Sequence, residues 1–232
     1  MGRVGRKAEE TRRRRRRVTA WTSGIGSGVL VFIVLSLVFS RPAPTPELSV
    51  GDDPVLGNST APIVVYYFAD FQCPSCRRFE VDGTMDRFRS EYVDTGKAKL
   101  VFKDFPIVGD DSWTAAQASQ SVWGSAPAIY WQWHQGLFQV QGPERSGWAS
   151  IDHIVEYSAR FPEVNMTALR SSLARDAYRG EVSQDKADGA AHGVQGTPTV
   201  IVDGRVVNPH QYDELKAAIE ESLRATTAGT NT

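Results

Sequence analysis

The apolar positions of this chain change their period several times, and each change predicts an element. Ile63-Val64-Val65-Tyr66-Tyr67-Phe68 is an unbroken run of β-branched and aromatic residues and predicts a buried strand. Residues 77–92 then predict a helix with Cys76, Phe79, Met85, Phe88 and Tyr92 on or near one face, ended by Gly96. Lys97 to Phe102 alternates around Leu100 and Phe102, as a second strand would. Strand, crossover helix and strand imply a parallel pair. Phe105-Pro106 breaks the pattern, and residues 111–192 read almost wholly as helices.

Within that helical stretch, Asp111 or Ser112 is expected to cap a first helix, which Gly124 interrupts. Further helices are expected over 126–138, over 150–160, from Asn165 or Thr167, and over 178–192. Thr199-Val200-Ile201-Val202 predicts a strand, Asp203-Gly204 a two-residue hairpin turn, and Arg205-Val206-Val207 its antiparallel return. Asn208-Pro209 reads as a cap and first helical position for a last helix with Tyr212, Leu215, Ile219 and Leu223 on one face. A polar tail, 226–232 by domain boundary, is expected to fray.

Charge adds a membrane to this picture. The formal net charge of −1 over 232 residues hides an asymmetry, because residues 1–17 hold nine Lys/Arg against Glu9 and Glu10. The remainder is acidic, which argues against a nucleic-acid partner for the body. Residues 18–40 carry no charge and are long enough, at about 35 Å as a helix, to cross a bilayer. Arg12 to Arg17 before the span place residues 1–17 in the cytoplasm by the positive-inside rule, so the body is expected outside. Val38-Phe39-Ser40-Arg41 is a poor signal-peptidase site, which favours an uncleaved signal anchor. Residues 41–53, with Pro42, Pro44 and Pro46, read as a stiff spacer.

The chemistry concentrates in Phe71-Gln72-Cys73-Pro74-Ser75-Cys76, which holds both cysteines of the chain. Pro74 suits the first helical position, and Cys73 then faces the unpaired N–H groups and positive end of a helix. Both favour a thiolate, so Cys73 is the expected nucleophile. Cys76 lies on the same face, placed to attack a mixed disulfide at Cys73. A zinc site and a purely structural disulfide are the competing readings. The first lacks further cysteines and closely spaced histidines, and the second would close a very short loop. His134 and the aromatic residues around it read as packing. Lys103 and Asp104, after the second strand, are read either as thiol-tuning charges or as solvated strand-end residues.

Three stretches together resemble the DsbA-like family of exported thiol–disulfide oxidoreductases. They are Asp70 to Cys76, Trp131-Gln132-Trp133-His134-Gln135-Gly136-Leu137-Phe138, and Gly193-Val194-Gln195-Gly196-Thr197-Pro198-Thr199. The resemblance implies an α/β thioredoxin fold, residues 54–110 and 193–225, with an all-helical insertion at 111–192. It implies Cys73 and Cys76 as the redox pair, with Phe71, Pro74 and Ser75 supporting it. It also implies a cis-Pro198 beside the pair, with the Thr197 backbone pairing with an extended substrate segment. Strongly oxidising members often carry His where this chain has Ser75, which bears on oxidising strength.

The function so implied is a membrane-anchored catalyst that introduces disulfides into thiol-containing exported proteins. A DsbB-like or VKOR-like membrane protein would reoxidise it, and no organic cofactor or metal is needed. The alternatives are a reductase or isomerase on the same fold, an anchored peptide-binding module without catalysis, and a metal-binding domain.

Overall fold

The computed structural model describes residues 47–229. The expected tail 1–17, the span 18–40, the spacer up to residue 46 and residues 230–232 lie outside the described residues. Among the described residues, no helix is long and apolar enough to cross a membrane.

Five strands form one sheet: β1 (Val55–Leu56), β2 (Ile63–Ala69), β3 (Ala98–Asp104), β4 (Thr199–Val202) and β5 (Arg205–Val207). Their order is β1-β3-β2-β4-β5. β2 and β3 are parallel, from Ile63 opposite Ala98 to Ala69 opposite Asp104, and the other pairs are antiparallel. β1 was not legible, because it is two residues long inside a turn-rich segment. The hairpin turn between β4 and β5 is as expected. Asp203 and Gly204 both take positive φ, 49° and 73°, which their residue types tolerate best.

The crossover helix corrects the sequence reading. Instead of one helix over 77–92, the chain forms α1 (Pro74–Val81), α2 (Thr84–Phe88) and a π-helical turn (Arg89–Val93). The break falls at Asp82-Gly83, where Gly83 takes φ 94° and the Thr84 N–H donates to Asp82 Oδ1 at 3.1 Å. Phe79, Met85, Phe88 and Tyr92 still enter one core across the break, which is why the apolar period hides it.

Five helices connect the halves of the sheet: α3 (Asp110–Ser125), α4 (Tyr130–Gln139), α5 (Ile151–Ser158), α6 (Met166–Ala174) and α7 (Arg179–Ala191). Asp111 and Ser112 lie inside α3 rather than capping it. The chain enters at Gly109, whose N–H donates to Ser112 Oγ at 3.3 Å. Gly124 does not interrupt α3, which runs on to Ser125 before Pro127. Ser150 and Asn165 do cap α5 and α6. The last helix, α8 (Tyr212–Gly229), starts later and ends later than expected. Asn208 and Pro209 form a turn, closed by the Gln211 N–H on the Asn208 carbonyl at 3.1 Å, and residues 226–229 continue the helix.

Alternation along β2 assigns the two faces of the sheet. Val65, Tyr67 and Ala69 enter the main core with residues of α1, α3–α6 and α8. Tyr66 and Phe68 enter a second core with Val101, Phe105, Val194 and Ile201. α7 lies so close to that second face that a Cβ at Gly189 would meet Phe105 at 2.7 Å.

Leu48 to Asp53 is not a free spacer. The Tyr66 hydroxyl donates to the Leu48 carbonyl and the Trp123 indole to the Asp52 carbonyl, each at 2.6 Å. Asp53 ion-pairs with Lys103. Lys103 and Asp104 are correspondingly buried, which overturns the solvated reading of both. Lys103 Nζ also lies 3.1 Å from Asp185 Oδ1 and 3.2 Å from Asp188 Oδ2. Burial alone would push the Lys103 ammonium down, but the carboxylates of Asp185 and Asp53 outweigh it and hold it up. Burial raises the Asp185 carboxyl to about 7, with the Asp53 charge adding to the rise.

Lys103→Met would leave these carboxylates without their cation, and is expected to cost about 3–5 kcal/mol in urea unfolding at neutral pH. Asp185 titrates above its unfolded value of 3.8, so between those two pH values the folded state holds the extra proton. This group's contribution therefore falls as pH rises through that window. The Lys103→Met deficit is expected to shrink in melts at progressively lower pH, as the stranded carboxylates protonate.

Candidate active site

The site is built where β2 ends. Phe71 is buried and stacks on Phe138 of α4, ring centroids 4.7 Å apart. Phe102, Trp133 and His134 pack around it at 5.6, 6.0 and 5.3 Å. This sinks the root of the cysteine loop into the aromatic core and shows what the Trp131–Phe138 stretch contributes. The buried Asp70 carboxylate then ties the loop to the segment after β3. Its Oδ1 accepts from the Gln72 N–H at 2.8 Å, and its Oδ2 from the Ile107 and Val108 N–H groups, each at 2.8 Å.

Cys73 is the N-cap of α1 and Pro74 is its first residue, as the sequence predicts. The Cys73 N–H donates to the Asp70 carbonyl at 2.9 Å, and the Cys73 carbonyl accepts from Arg77 at 3.1 Å. Gln141, beyond the end of α4, donates its side-chain amide to that same carbonyl at 3.2 Å. Both thiols are free. Cys73 is 8% exposed and Cys76 fully enclosed, so one sulfur of the pair is presented and the other withheld.

The segment before β4 closes over Cys73. The Thr197–Pro198 peptide bond is cis. The Cys73 thiol donates to the Thr197 carbonyl at 3.3 Å, across 124 positions of sequence. The structure thus brings together Cys73, Cys76, Phe71, Pro74, Thr197 and Pro198. Ser75 stands beside them, but its hydroxyl accepts from Arg78 of the next turn at 2.9 Å.

These surroundings split the two thiols. The Cys73 pKa falls from 9.0 to about 6, chiefly because the Cys76 thiol hydrogen-bonds its sulfur. Burial opposes that fall. The Thr197 hydroxyl, which has no other partner, and the N–H groups of Cys76 and Ser75 add to it. The Cys76 thiol is pushed well up, first by burial and then by the neighbouring Cys73. The arrangement suits nucleophilic attack by Cys73 and a held-back second thiol.

Gln141 and Glu80 were not legible as parts of this neighbourhood. Gln141 reaches Cys73 from 68 positions away, and nothing local marks it. Glu80 did leave a signal: it is a carboxylate on the buried face of α1, four residues after Cys76. Its side chain is 3% exposed and pairs with His134 Nε2 at 3.1 Å.

Alkylation of the reduced protein is expected to modify Cys73 alone, with a rate that rises through a midpoint near pH 6, read by stopped flow and peptide mapping. Because the folded value lies below the unfolded one, the thiolate stabilises the reduced form as pH rises from about 6 toward about 9. The melting temperature of the reduced form should climb relative to the oxidised form over that range and lose the gain below it.

A family model described as thioredoxin matches residues 49–221. Disulfide bond formation protein D of Bacillus subtilis is 30% identical over 177 residues, covering 76% of this chain and 79% of that one. The probable protein of the same name from Bacillus cereus is 31% identical over 170 residues, covering 73% and 78%. The crystal structure of oxidised BdbD from Bacillus subtilis superposes with a TM-score of 0.72 at 30% identity, covering 76% of this chain and 95% of that one. DsbA of Chlamydia trachomatis shares the fold, with a TM-score of 0.69 at 22% identity, covering 81% and 98%. With a presented, acidified Cys73 and a withheld Cys76 on a thioredoxin sheet, the chain belongs to the thioredoxin family, among its DsbA-like protein-disulfide oxidoreductases.

Proposed function

We propose that this oxidoreductase runs in the oxidising direction, on thiol-containing proteins that have been exported across the membrane that anchors it. The observation that carries the direction is the acidified Cys73. A stabilised thiolate favours the reduced pair, and so makes the disulfide a stronger electron acceptor. The acidification comes from Cys76, Thr197 and backbone N–H groups, so Ser75 need not supply a cation. The names of the Bacillus relatives, which speak of disulfide bond formation, point the same way.

In the proposed cycle, a substrate thiolate attacks Cys73 of the oxidised pair and Cys76 leaves. The second substrate thiol then displaces Cys73, which releases an oxidised substrate and a reduced enzyme. The Thr197 backbone holds an extended substrate segment beside Cys73, and cis-Pro198 shapes that docking edge. A DsbB-like or VKOR-like membrane protein accepts the electrons. Residues 18–40 anchor the chain, with residues 1–17 in the cytoplasm and the oxidoreductase outside; this part rests on hydropathy and charge alone.

Equilibration with glutathione buffers and thiol trapping tests the direction. With Cys73 acidified to about 6, the Cys73–Cys76 potential is expected above the about −270 mV of thioredoxin-type reductants. A value at the reducing end would reverse the proposed flow. In cells, Cys76→Ser is expected to accumulate mixed disulfides with exported proteins, seen on non-reducing gels, and Cys73→Ser to accumulate none. Full function of the Cys73→Ser protein would point instead to a binding module.

A further inference from the structure

In the proposed docking, the Thr197 backbone meets the substrate through groups that every residue carries, so it reads no side chain. Discrimination among thiol-containing chains has to come from side chains that stand around Cys73. The connection from α4 to α5 borders the cysteine loop. Gln141 donates its side-chain amide to the Phe71 carbonyl at 2.5 Å and to the Cys73 carbonyl at 3.2 Å. Further along the same connection, the Arg145 N–H donates to Gln72 Oε1 at 2.8 Å, and the Gln72 amide donates to Ser112 Oγ at 3.1 Å. Gln72 is fully buried, so the residue before Cys73 is a fixed post to which Arg145 is tied.

Arg145 is held in an unusual way. Its φ is 56°, in the left-handed region that a residue with a side chain avoids. Such strain persists where the surroundings over-determine it, and it collects at functional sites. The side chain is fixed as well. Its Nε donates to the Val108 carbonyl at 2.7 Å, and the Val108 N–H is itself held by Asp70 Oδ2 at 2.8 Å. The guanidinium is thus fastened to the segment that Asp70 ties to the cysteine loop. Arg145 is exposed, and so is Ile107 just before Val108, which puts this contact on an open face. The two guanidinium NH2 groups have no hydrogen-bond partner among the described residues.

The charge of that guanidinium is also unanswered. Elsewhere in this acidic body, Arg87, Arg89, Arg170, Arg179 and Arg205 each meet a carboxylate. Around the cysteine loop, cations end on neutral acceptors instead. Arg78 donates to Ser75 Oγ at 2.9 Å and Lys186 to the Pro106 carbonyl at 2.7 Å, as Arg145 does to Val108. The carboxylates nearby in the chain do not compensate. Asp70 is spent on backbone N–H groups, and Asp110, Asp111 and Glu144 form no ion pair with these cations.

We propose that Arg145 reads a carboxylate on the substrate, an aspartate or glutamate side chain a few residues from the cysteine that bonds to Cys73. With Nε taken, the two NH2 groups present the end-on fork that matches both oxygens of a carboxylate. Because the side chain is already fixed, little rotamer freedom is lost on binding. The subsite favours cysteines in acidic stretches of a substrate over cysteines in neutral ones. The inference rests on the reading of the chain as an oxidant of protein thiols at Cys73.

The test mixes the oxidised full-length protein with dithiol peptides that differ only in carrying Asp or Asn. The substitution is stepped through about four positions on either side of the cysteine, each position shifting the carboxylate by about 3.3–3.6 Å. Each rate constant for disulfide formation is divided by that peptide's rate with a neutral small disulfide, hydroxyethyl disulfide, which removes the effect of the charge on the peptide's own thiol. At one position the protein is expected to favour Asp by about tenfold, the low end for hydrogen bonds to a charged group. In Arg145→Gln that preference is expected to disappear. A general loss of folding would slow both peptides alike and leave their ratio, so the ratio reports the subsite. Equal rates for Asp and Asn peptides at every position, or a preference that survives in Arg145→Gln, would overturn the proposal. Should Arg145→Gln fail to fold, the wild type still decides. Its Asp preference is expected to shrink as ionic strength rises, and a preference indifferent to salt would overturn the proposal. A wild-type protein that oxidises none of the peptides would instead overturn the reading of Cys73.

Discussion

The site depends on one buried carboxylate. Asp70 sits where β2 ends and spends both oxygens on backbone N–H groups, those of Gln72, Ile107 and Val108. Its own carbonyl holds the Cys73 N–H. Charge-assisted bonds of this kind are stronger than neutral ones, and here they are shielded from water. They bind the cysteine loop to the segment leaving β3. α1 can therefore start at Pro74 in a fixed direction, and the positive end of that helix stays aimed at Cys73. Without that fixed start, neither the hydrogen bond from Cys76 nor the contact with Thr197 would be held in place.

The aromatic layer below does the complementary work. Phe71 lies among Phe102, Trp133, His134 and Phe138, so the helical subdomain and the sheet meet at the root of the cysteine loop. The five-helix insertion is thus part of the floor of the site. It also contributes Gln141, which reaches the Cys73 carbonyl after α4 has ended, and Arg145, whose N–H donates to Gln72 Oε1 at 2.8 Å.

What was legible in the sequence is what short-range physics dictates. The Ile63–Phe68 run, the Asp203-Gly204 turn and the Cys73-Pro74 helix start each follow from residue types whose conformational needs are local. The break at Asp82-Gly83 was hidden because Phe79, Met85, Phe88 and Tyr92 still bury in one core across it. Lys103 shows the other limit. Its carboxylate partners come from Asp53, Asp185 and Asp188, up to 85 positions away, so nothing adjacent to it reveals that it is buried. The cis Thr197–Pro198 bond and its place beside Cys73 were expected from the sequence. Glu80 was passed over, although a carboxylate among Cys76 and Phe79 on a buried face is itself an anomaly.

The two ends of the sheet bear on a hazard specific to this kind of catalyst. A protein-disulfide oxidoreductase meets chains whose own strands are still unpaired, and an open sheet edge is a template on which such chains aggregate. Here the edges are β1 and β5, two and three residues long, the shortest strands of the sheet. The long strands β2 and β3 lie inside, β2 between β3 and β4, and β3 flanked by β1 at Leu100 and Val101. The fold therefore offers an unpaired strand of another chain short edges to seed on.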